Sequence, residues 1–301
     1  MKLFNTISVE IGSLCNRKCK FCPVAYNTRP KERMAEQTIN AVIKELHHLK
    51  YSGRIEWYIY NEPCMEMDWL KQVASYAKEQ VPKATQMIAT NGDYFKNGSA
   101  DLLSLYDYGI QQILVNCYTK GLYAKREHWL EEAKQAGIEV GGAIYSPVPR
   151  NKRTLQMLDK SNSETFGSGI FQITNRAGNI TDYVPAIQQP LERMCVRPFR
   201  ILNINWKGEA MVCCNDYHAD VPVGSVPRQS LVNLWNSPIL NTYREHLLRK
   251  DRSLPLCKSC DCHSGAYPAN VSSPDGGQAV PQVIHSLYEQ RVTERSKTDG
   301  L

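Results

Sequence analysis

The chain has 301 residues, of which 42% are hydrophobic and 22% charged, and its 36 basic and 30 acidic residues give a net charge of +6. These values are ordinary for a soluble globular protein, and the diffuse positive charge does not favour nucleic acid as a partner. No stretch approaches the ~20 apolar residues of a membrane span, and the amino terminus lacks a signal-peptide core, so a cytoplasmic protein without a membrane partner is expected. Eleven cysteines, most of them clustered, favour metal binding over disulfides.

The first β-type run, residues 5–11, leads directly into three cysteines spaced C-x3-C-x2-C. These are Cys15, Cys19 and Cys22, with Phe21 before the last of them. Three thiolates at this spacing can hold one face of an iron–sulfur cube and leave its fourth iron open to a small-molecule cofactor. Buried structural cysteines and a zinc site completed by a distant ligand are the alternatives. The position after a first strand favours function, since active sites of α/β barrels lie at that end of the strands.

This motif resembles the signature of radical S-adenosylmethionine enzymes. In that family three cysteines hold a [4Fe-4S] cluster whose fourth iron binds S-adenosylmethionine, and reductive cleavage releases a 5′-deoxyadenosyl radical. The resemblance implies that Cys15, Cys19 and Cys22 are cluster ligands and that Phe21 contributes to cofactor binding. It also implies an external one-electron reductant of the flavodoxin or ferredoxin type as a partner.

Strand-like and helix-like patterns alternate after the motif. Strands are predicted at 54–60, 85–89, 111–116, 138–144 and 170–174, and helices at 35–50, 67–81, 99–108, 123–136 and 154–159. Such alternation predicts βα units around a parallel sheet with right-handed crossovers. Six strands are too few for a closed eight-stranded barrel, so the expected fold class is α/β, a partial (β/α)6 TIM-like barrel over residues 1–184.

Polar residues follow several of these strands. Tyr60-Asn61-Glu62-Pro63 resembles the Gly-Glu-Pro motif that binds the methionine ammonium of the cofactor in the family, with Asn61 in place of the glycine. A turn beginning with Asn and Pro explains these residues equally well. The resemblance implies that the cofactor-binding residues are Tyr60, Asn61, Glu62, Asn91, Asn116 and Gly142.

Arg176 follows the predicted sixth strand. Its fork of donors at the barrel mouth would suit the orientation of substrate hydroxyls or of a carboxylate. A solvent-facing loop arginine is the alternative.

The pattern changes after a linker rich in Pro and Gln at 185–190. A hairpin is predicted from 201–206 and 210–213, and helices near 231–236 and 239–250. Cys195 and Cys213 flank the hairpin, and Cys257 and Cys260 follow the helices. This distribution brings two distant pairs around one metal centre, with structural zinc as the alternative to iron–sulfur.

Beside the first motif, this segment resembles the shortened SPASM, or twitch, subdomain, which holds one auxiliary [4Fe-4S] cluster. The resemblance implies two clusters in all, a twitch subdomain at 185–264 and a tail without a motif at 265–301. The Asn175-Arg176 pair and the C-x17-C spacing are similar to members of the 2-deoxy-scyllo-inosamine dehydrogenase type. The implied auxiliary ligands are Cys195, Cys213, Cys257 and Cys260, with Cys214 and Cys262 as substitutes.

The two ligand sets leave Cys64, Cys117, Cys214 and Cys262 as candidate hydrogen donors, although free cysteines are often inert small hydrophobes. A thiol that returns a hydrogen atom to a substrate radical makes the reaction redox-neutral, as in the radical epimerases of aminoglycoside pathways. Without such a thiol the radical is oxidised. The expected function is therefore hydrogen abstraction from a sugar, cyclitol or aminoglycoside in natural-product biosynthesis, followed by oxidation or epimerisation. A peptide-modifying radical maturase and a non-enzymatic metal-binding module are the alternatives.

Overall fold

The computed structural model describes residues 3–26, 29–95, 98–141, 152–161, 173–262 and 281–298. The chain divides into two compact units. The first, here called the sheet unit, comprises Ser8–Asn16 and Lys31–Gly169. The second, here called the C-terminal unit, comprises Met1–Ile7, Arg17–Pro30 and Ile170–Leu301. The predicted sequence domains 1–184, 185–264 and 265–301 stay a prediction.

The sheet unit alternates strands with helices. In chain order the elements are β1 (Thr6–Val9, which begins two residues before this unit), α1 (Glu36–His48), β2 (Arg54–Glu56), α2 (Met67–Gln80), β3 (Thr85–Thr90), α3 (Ala100–Ser104), β4 (Ile110–Cys117), α4 (Lys120–Tyr123), α5 (Arg126–Gln135), β5 (Glu139–Val140) and β6 (Thr154–Asp159). The strands lie in the order β1-β2-β3-β4-β6-β5. The pairs β2–β3, β3–β4, β4–β6 and β5–β6 are all parallel. The expectation of a mostly parallel α/β sheet is thus confirmed.

Hydrophobic periodicity explains which faces are buried. The apolar residues of α1 recur at helical spacing, and Ile39, Val42, Ile43 and Leu46 are all buried. The strands β3 and β4 are buried at almost every position, as expected for parallel strands covered on both faces. Because Thr90 pairs with Val115 near the end of β4, the polar loops that follow β3 and β4 leave from the same edge of the sheet.

The C-terminal unit is built on antiparallel pairing. Its elements are β7 (Ile201–Ile204), β8 (Glu209–Met211), β9 (Gly224–Ser225), α6 (Leu231–Trp235), α7 (Pro238–Leu248) and α8 (Pro281–Thr298). The strands β7 and β8 form the predicted hairpin, with Ile204 opposite Ala210. The side-chain oxygen of Asn205 accepts the N–H groups of Lys207 and Glu209 and so closes its turn. Ser230 and Ser237 cap α6 and α7 by accepting from Asn233 N and Leu240 N.

One predicted element is wrong. Residues 154–159 form β6, which pairs in parallel with both β4 and β5, rather than a helix. Six residues span less than two helical turns, so their apolar positions cannot distinguish a helix from a strand that is buried on both faces. Thr154, Leu155, Gln156 and Met157 are all buried, and the Thr154 carbonyl accepts a hydrogen bond from Tyr106.

Other differences concern element boundaries. The predicted helix at 123–136 is two helices, α4 and α5, and β2 is shorter than predicted. Residues 142–144 of the predicted fifth strand lie outside the described residues, and so do residues 170–172 of the predicted sixth. No helix in the described ranges is both long enough and apolar enough to cross a membrane.

Helix α8 is held to the hairpin region by two arginines. Arg291 Nη1 lies 3.0 Å from the Glu209 carboxylate and 3.1 Å from the Ala219 carbonyl. Arg295 Nη1 donates to both oxygens of Asp220, at 2.7 and 2.5 Å, and Asp220 is buried. The helical end of the tail therefore has a defined anchor.

We expect Arg295→Ala to lower the free energy of unfolding by about 1–3 kcal/mol, because it leaves a buried carboxylate without its main donor. Chemical denaturation under anaerobic conditions measures this loss. In the double variant with Asp220→Asn, the loss should be smaller than the sum of the two single losses. Additive losses would mean that the pair contributes nothing to stability.

Candidate metal centres and cofactor site

The carboxyl ends of β2 and β3 gather polar groups around Glu62, which is 7% exposed. Its Oε1 accepts from the Thr90 hydroxyl at 2.6 Å and from Cys64 N at 3.1 Å, and its Oε2 accepts from Asn91 N at 2.6 Å. The Glu62 N–H donates to the Leu14 carbonyl at 2.7 Å. The predicted cofactor acid therefore lies beside the segment that enters the first cysteine motif.

The charge state of Glu62 depends on two opposed effects. Burial raises the pKa of this carboxyl above its ordinary value, and the hydrogen bonds from Thr90, Asn91 and Cys64 partly offset the rise. A cation next to the carboxylate would restore the ionised form. Among the described residues Oε2 accepts one hydrogen bond, from Asn91 N, and a carboxylate oxygen can accept two, so the geometry suits an ammonium group at this oxygen.

The loop after β3 fixes the residue that follows Cys15. Asn91 Nδ2 donates to Asn16 Oδ1 at 2.7 Å, and Asn16 Nδ2 donates to Asp93 Oδ2 at 2.9 Å. The Asp93 N–H returns to Asn91 Oδ1 at 2.9 Å. Gly92 lies between them with φ +74°, and a Cβ there would lie 2.8 Å from both Leu122 and Val115, so only glycine fits. The Asn91 amide therefore supports the loop.

Tyr60 and Asn61, which precede Glu62, are also held by local contacts. The Tyr60 N–H donates at 2.9 Å to Glu10, a fully buried acid beyond the end of β1. Asn61 Oδ1 accepts from Ile59 N at 3.1 Å. The side chain that replaces the family glycine thus folds back onto its own turn.

Asn116, next to last in β4, carries a buried side-chain oxygen that has no hydrogen-bond partner among the described residues. An unsatisfied buried acceptor costs about 1–3 kcal/mol, so the position is suited to a ligand that brings a donor. An amino group, such as that of adenine, supplies one. This orphaned acceptor and the arrangement around Glu62 both fit S-adenosylmethionine. Gly142, the remaining predicted contact, lies outside the described residues.

The loop that carries Cys19 and Cys22 belongs to the C-terminal unit. Cys22 N–H donates to the Cys19 carbonyl at 2.9 Å, and a 3-10 turn at Pro23–Ala25 follows. Arg176 Nε donates to the Phe21 carbonyl at 3.5 Å. Burial raises the pKa of Cys22 to about 11, although the nearby Arg176 and Arg29 guanidinium groups act in the opposite direction. Arg176 therefore contacts the cysteine loop, and its role in substrate orientation stays a prediction.

Five cysteines of the C-terminal unit line one small cavity that is partly open to solvent. Arg197 and Arg252 also line it, and their guanidinium groups supply positive charge where several thiolates would meet. The donor chemistry fits an iron–sulfur cluster, whose ligands are cysteine thiolates. The five cysteines are Cys195, Cys213, Cys257, Cys260 and Cys262.

The cavity walls are tied together by Arg252, which is 2% exposed. Its Nε and Nη2 donate to the carbonyls of Arg193 and Met194, at 2.8 and 3.2 Å. Its Nη1 donates to the carbonyls of Cys260 and Cys262, at 3.3 and 3.0 Å. One buried side chain thus joins the segment before Cys195 to the last cysteines of the motif.

Two further donors reach sulfur atoms directly. Arg197 Nη1 lies 3.2 Å from Cys214 Sγ, and Asn215 Nδ2 lies 3.7 Å from Cys260 Sγ. Hydrogen bonds to cluster sulfurs tune reduction potentials, so both residues are candidates for that role. In the described ranges, no group of three or more Cys, His, Asp or Glu side chains is arranged as a ready single-ion site. Both ligand sets therefore stay predictions.

Two of the spare thiols are fully buried: Cys64 follows Glu62-Pro63, and Cys117 ends β4. Burial raises the pKa of Cys64 well above its ordinary value and that of Cys117 to about 11. Both therefore carry an S–H at neutral pH, which a hydrogen-atom donor requires. Of the other two, Cys262 lines the cysteine cavity and Cys214 accepts from Arg197.

Sequence reasoning missed the residues that support these centres. Arg197, Asn215 and Arg252 carry no motif, because a lone arginine or asparagine in a loop is normally exposed. Only their burial and contacts distinguish them. Asp261 was also missed, although it lies between two cysteines of the motif. Its carboxylate accepts from the Asn175 N–H.

Comparisons with known proteins agree with this geometry. Residues 195–261 match the SPASM family, an iron-sulfur cluster-binding domain. The chain is 26% identical over 264 residues to the S-adenosyl-L-methionine-dependent 2-deoxy-scyllo-inosamine dehydrogenase of Niallia circulans. This match covers 86% of this chain and 94% of that protein. This relative supports an S-adenosylmethionine-dependent oxidoreductase.

Two solved structures share the fold. The crystal structure of BtrN with AdoMet and 2-DOIA has a TM-score of 0.66 at 23% identity, and BtrN in an open conformation has 0.59 at 22%. Each match covers 87% of this chain and 94% of the other. The predicted resemblance to radical S-adenosylmethionine enzymes with a SPASM-type domain is confirmed, and so is the partial-barrel α/β fold.

We expect Arg252→Met to lower the iron content of anaerobically reconstituted protein to about half, because only the C-terminal cysteine set loses its support. Iron and sulfide analysis measures this, with circular dichroism as the check on folding. Arg249→Met, a matched change at a nearby exposed arginine, should leave iron unchanged. Arg252→Lys, which keeps the charge and some donors, should retain more iron than Arg252→Met. Full iron in Arg252→Met would contradict the supporting role.

Proposed function

We propose that this chain, a relative of radical S-adenosylmethionine enzymes, is a dehydrogenase that oxidises a carbinol carbon of a small polar substrate. The substrate class is a cyclitol, sugar or aminoglycoside of natural-product biosynthesis. The observation that carries the proposal is the 264-residue match to a dehydrogenase of a cyclitol amine, since it covers 94% of that protein. The SPASM match adds an iron–sulfur centre to the same chain.

The proposed cofactors are S-adenosylmethionine and two [4Fe-4S] clusters, held by Cys15, Cys19 and Cys22 and by the four auxiliary cysteines. When bound, they supply a 5′-deoxyadenosyl radical and a one-electron acceptor, so a carbinol that loses a hydrogen atom, a proton and an electron becomes a ketone. The protein contributes binding, orientation and electrostatics. An external reductant of the flavodoxin or ferredoxin type is its proposed partner. The four auxiliary ligands are Cys195, Cys213, Cys257 and Cys260.

Glu62 binds the methionine ammonium in this proposal. Its carboxylate is already oriented by Thr90, Asn91 and Cys64, so it need not reorganise when a cation arrives. Burial makes the lone carboxylate unfavourable, and an ammonium group offsets that cost. Asn116 supplies an acceptor whose partner is the adenine amino group.

Oxidation is preferred over epimerisation because the relative is a dehydrogenase and the ketone route needs no thiol donor. The epimerase alternative rests on four thiols, and Cys64 and Cys117 keep their S–H in a fully buried setting. The mass of the product separates the two reactions. Oxidation removes two hydrogen atoms, whereas epimerisation leaves the mass unchanged.

Anaerobic turnover with dithionite and candidate cyclitols and aminoglycosides tests the proposal. We expect 5′-deoxyadenosine together with a product lighter by two hydrogen atoms, and unchanged chemistry when Cys64, Cys117, Cys214 or Cys262 is replaced singly by alanine. An isomer of unchanged mass, lost in one of these variants, would instead identify an epimerase and its hydrogen donor. Turnover with a peptide alone would identify a maturase, and no cleavage of S-adenosylmethionine would leave a metal-binding module.

We expect Asn116→Leu to weaken S-adenosylmethionine binding about tenfold without lowering stability, because the lost acceptor has no partner in the part of the chain that the structure describes. Anaerobic calorimetry gives the Kd, and denaturation gives the midpoint. Asn236 is the matched control, since its side-chain oxygen is also buried without a partner among the described residues but lies after α6. Asn236→Leu should leave the Kd unchanged, and an unchanged Kd in Asn116→Leu would remove Asn116 from the cofactor site.

A further inference from the structure

The loop that carries Cys19 and Cys22 is part of the C-terminal unit, in which Arg17–Pro30 groups with Ile170–Leu301. Two arginines connect this loop region to the segments that carry the auxiliary cysteines. Arg29 belongs to the segment Arg17–Pro30 and contacts residues near Cys213. Arg176 belongs to the segment Ile170–Leu301 and contacts the loop between Cys19 and Cys22. The two connections reach different arms of the auxiliary motif.

The first connection is a cation held by two aromatic rings. The Arg29 guanidinium lies 3.5 Å from the ring centroid of Tyr217 and 4.6 Å from that of Trp206. Its Nη2 also donates to the Tyr217 carbonyl. Both rings are almost fully buried, where a cation–π contact contributes most. Tyr217 is four residues beyond Cys213 in the chain.

The arm that ends at Tyr217 is in turn bonded to Cys260. Asn215, two residues before Tyr217, donates from Nδ2 to Cys260 Sγ at 3.7 Å. The Asn215 carbonyl accepts from Asn179 Nδ2 at 3.0 Å. Because Asn215 contacts Cys260 and lies two residues before Tyr217, a displacement of Cys260 can be passed to Tyr217 through Asn215.

The second connection runs through Asn175 and Arg176. Arg176 Nε donates to the Phe21 carbonyl, between Cys19 and Cys22. The fully buried Asn175 donates its N–H to both carboxylate oxygens of Asp261, at 2.9 and 3.0 Å, and its Nδ2 to the Ser259 carbonyl at 2.8 Å. Asn175, which precedes Arg176, is thereby fixed to residues 257–262.

The backbone after Asn175 is strained. Arg176 and Ala177 have φ values of +52° and +57°, in the left-handed region that residues with a Cβ rarely adopt. Such a conformation persists only when its surroundings hold it. The Asp261 carboxylate and the Ser259 carbonyl hold Asn175 on one side. Arg176 itself donates to the Phe21 carbonyl and accepts from Asn179 Nδ2 at 2.6 Å.

We propose that Arg29 and Arg176 are positioning residues that couple the first cysteine loop to both arms of the auxiliary motif, with Asp261 acting through Asn175. The inference rests on the proposed cluster ligands and extends them. Binding of a cluster by the auxiliary cysteines fixes the 213–217 and 257–262 arms, and the two arginines then fix the loop of Cys19 and Cys22. The order of this loop therefore depends on residues far along the chain.

Hydrogen–deuterium exchange of the anaerobically reconstituted full chain tests the coupling. In Asp261→Ala, we expect peptides within 17–26 to exchange about tenfold faster, since the charged hydrogen bond that fixes Asn175, the neighbour of Arg176, is lost. Asp261→Asn keeps one acceptor for the Asn175 N–H and should restore most of the protection. Faster exchange limited to 173–178 and 257–262, with 17–26 unchanged, would overturn the inference.

Lys207 provides a matched control for Arg29, because its ammonium group also lies near the Trp206 ring. Lys207 Nζ lies 5.5 Å from the Trp206 centroid but belongs to the hairpin turn, so Lys207→Ala should leave exchange in 17–26 unchanged. Arg29→Ala should raise that exchange, and Arg29→Lys should raise it less. Equal effects of Arg29→Ala and Lys207→Ala would overturn a specific role for Arg29.

The readout needs neither S-adenosylmethionine nor turnover, so it fails independently of the proposed reaction. Absence of 5′-deoxyadenosine with intact coupling would refute the enzyme function alone. Cys257→Ser, which removes an auxiliary ligand, should reproduce the faster exchange in 17–26 with iron retained by the first set. Unchanged exchange in this variant would overturn the dependence on the auxiliary cluster.

Discussion

A buried carboxylate must be hydrogen-bonded or neutralised, and Glu62 meets this requirement with donors from the ends of two strands. Thr90 and Asn91 after β3 supply two of them, and Glu62 N–H in turn reaches the segment before Cys15. Parallel pairing brings these loops to one edge of the sheet. The segment that enters the first cysteine motif is therefore positioned by satisfying one acid, and the Gly92 turn and the asparagine network lie in the loop that supplies its donors.

In the C-terminal unit, buried arginines are likewise held by hydrogen bonds to their surroundings. Arg244 is 1% exposed, bonds the carbonyls of Pro198 and Trp235, and lies 3.9 Å from the Trp235 ring centroid. Arg252 bonds four carbonyls on both sides of the cysteine cavity. Guanidinium groups suit this role because their planar fork serves several acceptors at once. Short irregular segments of this unit are thus joined by buried guanidinium groups.

Long periodic segments were predicted well from sequence. The helices α1 and α2 and the hairpin of β7 and β8 lie within a few residues of their predicted bounds, because burial of one face imposes a repeat of 3.6 or 2 residues. The helix predicted at 154–159 was wrong because a short segment buried on both faces shows neither repeat. The order β4-β6-β5 was also beyond prediction, since strand neighbours depend on pairing between distant residues.

The sequence by itself determined the chemistry: cysteine spacing identified the iron–sulfur resemblance, and the comparisons confirmed it. Spacing along the chain is sufficient for Cys15, Cys19 and Cys22, because these three cysteines are close together in sequence. Only the tertiary structure decided which groups support those cysteines. Arg252 and Asp261 act through hydrogen bonds to residues far away in sequence. The Asn116 oxygen is distinguished by burial without a partner among the described residues, and no local pattern encodes burial.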